Sequence, residues 1–185
     1  MRRFLVQIAM TCLLLGAGLV ATSARPSPVA AAQPAAPPLR PYSSQQGRFS
    51  VLFPAGTPQH SVKAIGLKGG ASSSLHQTWV EIDQGNVAYM VMYNDYPTDH
   101  VDGVPDEVLA AARSGAADGK TVLSDRPISL DGVPGCAFTA TDHDGWRYTV
   151  HQFLAGQRLY QSIVVSANAH PAVATQEFMR SFRIH

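Results

Sequence analysis

The chain has 185 residues, of which 45% are hydrophobic, and this is an ordinary apolar fraction for a globular protein. Its formal net charge is only +1, and its basic residues form no block or stripe, which argues against a nucleic-acid partner. The chain also lacks an acidic tract of the kind that would concentrate cations.

The first residues have the order of a secretory signal peptide. Two arginines precede the apolar run Phe4–Val20, and small residues follow it. We therefore predict a signal peptide at residues 1–24, with cleavage after Ala24 or as late as Ala32, and a periplasmic or extracellular location. The alternative is an uncleaved anchor in the inner membrane, although the run is shorter than the roughly 20 residues that a membrane-spanning helix needs. This anchor would be the one expected contact with a membrane.

Residues 25–46 are rich in proline and alanine and poor in large apolar side chains. Such a segment cannot form a core, so we predict a disordered tether here and a single globular domain at residues 47–185. Removal of the signal would leave Cys136 as the single cysteine, and no intramolecular disulfide could then form. Cys136 and Phe138 share one face of a predicted strand, which favours a buried, inert thiol.

The first half of the domain shows the alternation of apolar and polar residues that is typical of strands. We predict strands at Phe49–Phe53, Ser61–Leu67, Leu75–Asp83 and Val87–Tyr93. The last of these is apolar on both faces, with two tyrosines on one face and two methionines on the other. A strand of this kind is typical of a sheet centre, so we expect a layer of structure on each face.

A helix is predicted from Pro105, a residue that suits the first helical turn, to Gly119, which ends it. Further strands are predicted at Thr121–Leu130, Gly135–Asp142, Trp146–Leu154 and Arg158–Ser166. Tight turns between them indicate an antiparallel meander, and a last helix is predicted from about Pro171 to Arg183. This order predicts an α+β fold, in which helices pack on an antiparallel β-sheet of about six to eight strands.

Three segments carry a resemblance to known proteins: Gly47–Pro54 (GRFSVLFP), Arg158–Val165 (RLYQSIVV) and Phe178–Ile184 (FMRSFRI). Together they resemble a group of small exported bacterial domains whose architecture is similar to the PsbP-like fold, an α/β/α sandwich with an antiparallel sheet between helices. The resemblance covers about residues 47–185. Its motifs are structural and include no catalytic residue. PsbP itself is an extrinsic photosystem II protein, but no residue here matches a manganese or photosystem function, so the resemblance implies the fold and not the role.

Two acidic clusters could hold a divalent metal ion. One is the loop with Asp95, Asp99, His100 and Asp102, and the other is the turn Asp142–Gly145. Aspartates in these contexts more commonly form turns and cap helices, and Asp-Gly is typical of a hairpin turn. We therefore predict no metal site and no cofactor.

No serine lies in a nucleophile elbow, so the sequence shows no hydrolase motif. His151 could act as a base, and Cys136 with His151 could form a nucleophilic pair if the fold brought them together. An enzyme would need at least two of His100, His143, His151 and Cys136 to converge in one cleft. We predict no catalytic residue and keep a hydrolase-type enzyme as the weaker alternative.

Several aromatic residues lie on or beside the predicted strands and could line an apolar ligand pocket: Tyr89, Tyr93, Trp146, Tyr148 and Tyr160. Such residues more commonly form core or cross-strand pairs. Taken together, the pattern predicts an exported, non-enzymatic binding or accessory module, with an envelope protein as the candidate partner. The alternative is a carrier of a small apolar ligand, with a pocket between the sheet and a helix.

Overall fold

The computed structural model describes residues 37–67, 70–102 and 104–185. Because apolar and polar residues alternate along most of these ranges, the chain forms mainly strands. The strands are β1 (Leu39–Ser44), β2 (Phe49–Pro54), β3 (Gln59–Gly66), β4 (Ser72–Ile82), β5 (Val87–Asp95), β6 (Thr121–Leu130), β7 (Val133–Thr141), β8 (Arg147–Ala155), β9 (Arg158–Ser166) and β10 (Arg183–Ile184). The helices are α1 (Thr98–Val101), α2 (Pro105–Ala117) and α3 (Thr175–Ser181).

Seven of the strands form one sheet in the order β3-β4-β5-β9-β8-β7-β6, and every neighbouring pair is antiparallel. The pairing of β5 with β9 joins the first half of the domain to the second, with Val87 opposite Ser166 and Asp95 opposite Arg158. The predicted α+β class and antiparallel sheet are confirmed. The strand β5, which is apolar on both faces, lies near the centre of this sheet, as predicted.

The main core lies on one face of the seven-stranded sheet. There, β1, β2 and β10 form a separate three-stranded sheet, and the residues of β2 and α3 pack together against the larger sheet. Phe53 and Tyr89 both contact Phe178 of α3, with ring centroids 5.5 and 5.4 Å apart. Burial of each such ring stabilises the fold by about 1.5–3 kcal/mol, so this aromatic layer holds α3 and the small sheet in place.

The opposite face of the seven-stranded sheet carries α2, which packs on β7 and β8. Phe138 and Val150 are buried there beside Ala117 at the end of the helix. The alternation along β5 places Tyr89 in the main core and Met90 on the α2 face. Both faces of the sheet are therefore covered, and in the described part of the chain α2 is the one long helix on the second face.

The folded region begins earlier than predicted, since β1 lies inside the segment assigned to a disordered tether. The six residues of β1 pair with β2, from Leu39 opposite Pro54 to Ser44 opposite Phe49. Tyr42 supplies the apolar anchor that composition alone did not reveal, because its ring lies 5.6 Å from that of Phe53. The remainder of the predicted tether up to residue 36, and the whole predicted signal peptide, lie outside the described residues.

The last helix is shorter than predicted. It begins at Thr175 and ends at Ser181, and the following residues turn into β10, where Arg183 lies opposite Ser50 of β2. Ser181 Oγ also accepts a hydrogen bond of 2.8 Å from the backbone N–H of Leu52. These contacts with β2 end the helix. They could not be predicted from the spacing of apolar residues within the helix, because β2 is far away in the chain. No helix in the described part of the chain is long and apolar enough to cross a membrane.

Substitution of Tyr42 distinguishes a strand from a tether. We expect Tyr42→Ala to lower the free energy of unfolding by about 1–3 kcal/mol, because the ring packs against two buried phenylalanines. Arg40→Ala, on an exposed side chain of the same strand, should stay within about 0.5 kcal/mol of the parent. Urea unfolding of both variants makes the measurement, and equal stability of the two would mean that β1 is not part of the cooperative fold.

Candidate binding cleft

An open cleft of about 600 Å³ lies between α2 and the seven-stranded sheet. Its floor is mainly apolar and consists of Met90 and Met92 of β5, Tyr148 and Val150 of β8, and Ile163 and Val165 of β9. Ala112, Gly115 and Ala116 of α2 form one wall, and Ile65 and Leu75 lie on the side of β3 and β4. A volume of this size is within the range of small-molecule sites, roughly 300–1,000 Å³.

The cleft exists because α2 presents small residues to it. Ala112, Gly115 and Ala116 are spaced so that they share one side of the helix. A Cβ atom added at Gly115 would meet no atom within 4 Å beyond its chain neighbours and the nearby backbone of its own helix. Protein interiors are normally filled to high density. The space is therefore present because these three residues of α2 are small, and one larger side chain at this position could close it.

A buried polar network holds α2 above the sheet. Gln152 of β8 is fully buried, and its Nε2 donates to the backbone oxygen of Ala112 at 3.3 Å and to Oε1 of Gln161 at 2.8 Å. The Sγ of Cys136 donates to Oε1 of Gln152 at 3.4 Å. An unmade buried hydrogen bond is unfavourable by about 1–3 kcal/mol, so this network fixes the position of the helix together with the apolar packing of Val108 and Leu109. The cleft beside it is therefore preformed.

At one end of the cleft, Lys120 lies over the ring of Tyr148, with its Nζ 4.9 Å from the ring centroid. The Tyr148 hydroxyl donates a 2.9 Å hydrogen bond to Oδ2 of Asp142. Burial, and after it this bond and the charge of Asp142, raise the pKa of Tyr148 to about 12. Burial opposes ionisation of Asp142, but hydrogen bonds from Tyr148 and two backbone N–H groups outweigh it and lower the pKa of that carboxyl. The ion at Asp142 is thus stabilised by hydrogen-bond donors of its own turn.

The structure does not bring the five aromatic candidates together. Tyr89, Tyr93 and Tyr160 lie in the main core on the other face of the sheet and are 0%, 5% and 1% exposed. Their hydroxyl groups are not directed to the cleft; that of Tyr160 donates to the backbone oxygen of Gly47 at 2.8 Å. Tyr148 lines the cleft, whereas Trp146 precedes β8 and is absent from the lining. The prediction of a single aromatic pocket is therefore wrong for Tyr89, Tyr93 and Tyr160, because side chains alternate between the two faces of a strand and theirs point away from the cleft.

The residues that sequence reasoning overlooked are the two methionines of β5, the small residues of α2, and Lys120. The methionines were visible as the second apolar face of a predicted central strand. The high alanine content of α2 was a further signal, because a helix rich in small residues leaves space against the layer beneath it. Neither pattern shows by itself which strands the helix covers.

Several carboxylates of the two acidic clusters form ion pairs or hydrogen bonds with individual partners. Asp95 forms a bidentate ion pair with Arg158, with both N–O distances at 2.6 Å. Asp99 lies 3.2 Å from Nδ1 of its neighbour His100, and Asp142 accepts hydrogen bonds from its own hairpin turn. Within the described ranges, no group of three or more histidine, cysteine or acidic side chains is placed to hold a metal ion.

Cys136 and His151 do not form a pair. In the pairing of β7 with β8, Cys136 lies opposite Gln152 and Ala137 lies opposite His151, so the thiol and the imidazole point to opposite faces of the sheet. Burial, and after it the charge of Arg126, lower the pKa of His151. His143 lies in the exposed β7–β8 turn, so it does not join either of them.

The chain matches no protein-family model and no curated protein. Among solved structures it is similar to cyanobacterial PsbP (CyanoP) from Synechocystis sp. PCC 6803, with a TM-score of 0.51 and 12% identity over 80% of this chain and 92% of that one. A protein of unknown function from Pseudomonas aeruginosa, PA94, matches 77% of this chain and 92% of its own with 9% identity, but its TM-score of 0.37 is too low to indicate a shared fold. The domain therefore has a PsbP-like fold, as the sequence resemblance predicted.

The reactivity of Cys136 provides a test of the hydrolase alternative. Burial, followed by the charge of Asp125, raises the pKa of this thiol to about 11. Since only the thiolate reacts, we expect iodoacetamide at pH 8 to alkylate Cys136 about a hundredfold more slowly in the native protein than in urea. Peptide mapping by mass spectrometry measures both rates. Faster alkylation of the native protein than of the unfolded chain would reveal an activated thiol and would favour the enzyme, whereas equal rates would mean an ordinary accessible thiol.

Proposed function

We propose that this chain is an exported, non-enzymatic binding module whose binding site is the cleft beside α2. The N-terminal pattern of basic, apolar and small residues supports export. The observation that carries the proposal is the preformed apolar space of about 600 Å³ next to a helix held by buried hydrogen bonds. When a ligand or partner covers the apolar surface of a concave site, that surface is removed from water, and the gain in free energy favours the complex.

Two kinds of occupant follow from the sequence analysis, an envelope protein and a small apolar ligand. The shape of the site favours the small ligand, because the space is concave and lies between a helix and a sheet, where a flat protein surface would not reach its floor. Met90 and Met92 also suit a small ligand, since methionine side chains adapt to the shape of whatever lies on them. The accessory role with a protein partner remains the second candidate, supported by the Pro- and Ala-rich segment that would extend the reach of the domain.

Gly115 allows the cleft to be closed by one substitution. We expect Gly115→Phe to weaken binding of the neutral fluorophore N-phenyl-1-naphthylamine by at least about tenfold, because a helical side chain leans back toward the preceding turn and would cover the space beside Ala112. Gly115→Ala is the matched control and should bind within about twofold of the parent, while its free energy of unfolding rises by about 0.5–1 kcal/mol. A fluorescence titration measures the affinities.

Either of two outcomes would contradict the proposal: no fluorophore binding by the parent protein, or equal binding by the two Gly115 variants. The occupant is then identified by isolation of the tagged protein from its own envelope fraction, followed by native mass spectrometry. A stoichiometric protein that is lost with Gly115→Phe supports the accessory role. Extra non-covalent mass of small size, lost with the same variant, supports the carrier.

A further inference from the structure

The cleft continues along α2 toward the start of the helix. A second space of about 450 Å³ shares Tyr96 and Ala112 with it and continues to Val104 and Glu107 at the start of the helix. From Val104 to Ala116 the rise of 1.5 Å per residue corresponds to a length of about 18 Å. We call the two spaces together the α2 groove. A site of this length beside a helix suits a linear apolar chain better than a compact ring system.

The two ends of the α2 groove differ in charge. Lys120 lines one end, and Glu107 lines the other. Among the described lining residues, Lys120 is the single lysine or arginine. A ligand with one charged end and one apolar chain would therefore bind in a defined direction, with an anionic group at Lys120 and its chain running toward Tyr96.

The Lys120 ammonium is available to such a group. Its Nζ donates one hydrogen bond, to the backbone oxygen of Asp118 at 3.2 Å, and an ammonium has three donors. In the described part of the chain, no carboxylate lies within ion-pair distance of this Nζ, whereas Arg113 on α2 is paired with Asp125 at 2.7 Å. The nearby Asp142 carboxylate is bound instead by the Tyr148 hydroxyl and two backbone N–H groups.

One amide of the described lining could compete with Lys120 for a polar head, because the buried Nδ2 of Asn94 has no hydrogen-bond partner. The other amides are engaged. Gln77 Nε2 already donates to the sulfur of Met92 at 3.0 Å, and Gln161 Oε1 accepts from the buried Gln152. The surfaces left for contact are mainly the side chains of Met90, Met92 and Val165. Burial of a chain against them supplies most of the affinity, and the head at the partly exposed Lys120 sets direction and selectivity.

From this arrangement, and resting on the proposed function, we infer that the module binds a long-chain carboxylate, with the chain along α2 and the carboxylate hydrogen-bonded to Lys120 beside Tyr148. The bound chain covers Met90 and Met92, and the carboxylate acts as the ion-pair partner of Lys120. The opposite orientation would bring the carboxylate to the end lined by Glu107 and His100, where the described lining residues include no lysine or arginine and the charge of Glu107 repels a carboxylate.

The test uses the full chain and displacement of the fluorescent fatty acid cis-parinaric acid by three probes with the same chain length: palmitate, hexadecanol and hexadecylamine. All are used below the concentrations at which they form micelles or a separate phase. We expect palmitate to bind about tenfold more tightly than hexadecanol, as a charge-assisted hydrogen bond allows, and hexadecylamine to bind most weakly. Lys120→Met should remove the preference for palmitate and leave hexadecanol unchanged, while Lys120→Arg should keep it. Lys63→Met, on exposed β3, is the matched control and should behave as the parent.

The outcomes separate the two levels of the proposal. Equal affinity for palmitate and hexadecanol, with both lost in Gly115→Phe, would overturn the carboxylate and leave the cleft as the binding site. A palmitate preference that persists in Lys120→Met would also overturn the assignment of the head group. If no probe displaces cis-parinaric acid, or if Gly115→Phe binds all three as the parent does, then the proposed function itself fails.

Discussion

The aromatic layer between the small sheet, α3 and the seven-stranded sheet is the interaction on which the rest of the structure depends. Phe49, Phe53, Phe178 and Phe182 are at most 1% exposed, and their rings interlock across β2 and α3 at centroid distances of 5.5 and 5.8 Å. Large rings bury the most apolar area per residue, so they decide which elements pack together. Because they all lie on one face, the two ends of the described chain are drawn to that face.

This concentration of large side chains on one face explains the character of the other. The second face is left to α2, whose residues toward the cleft are alanine and glycine. The helix is held by apolar packing of Val108, Leu109 and Ala117 on the sheet and by the bond from Gln152 to the backbone of Ala112. Because the residues between these contacts are small, the helix remains above the sheet without filling the space beneath it. The candidate binding site is thus a consequence of how the aromatic residues are divided between the faces.

Much of the secondary structure could be predicted from local pattern. The eight predicted strands, the hairpins that join the last four of them, and helix α2 from Pro105 appear in the structure close to their predicted bounds, because the period of two and the turn residues are local signals. The failures have two causes. β1 pairs with the neighbouring β2 in a hairpin, but its residues are mostly polar and show little apolar alternation, so composition concealed it. β10 and the end of α3 are set by contacts with β2, which is far away in the chain, and such pairing leaves little trace in a window of ten residues.

For this protein, the sequence by itself determined the class of fold and the two faces of each strand, since alternation of side chains follows directly from backbone geometry. It also showed that β5 is apolar on both faces. Only the tertiary structure decided which face is filled. Tyr89 and Tyr93, the more conspicuous candidates, are buried in the aromatic layer, whereas Met90, Met92 and Tyr148 line the space beside α2. That choice depends on which layer packs on which face, and on the volume that each layer leaves, and neither quantity is encoded in a local pattern.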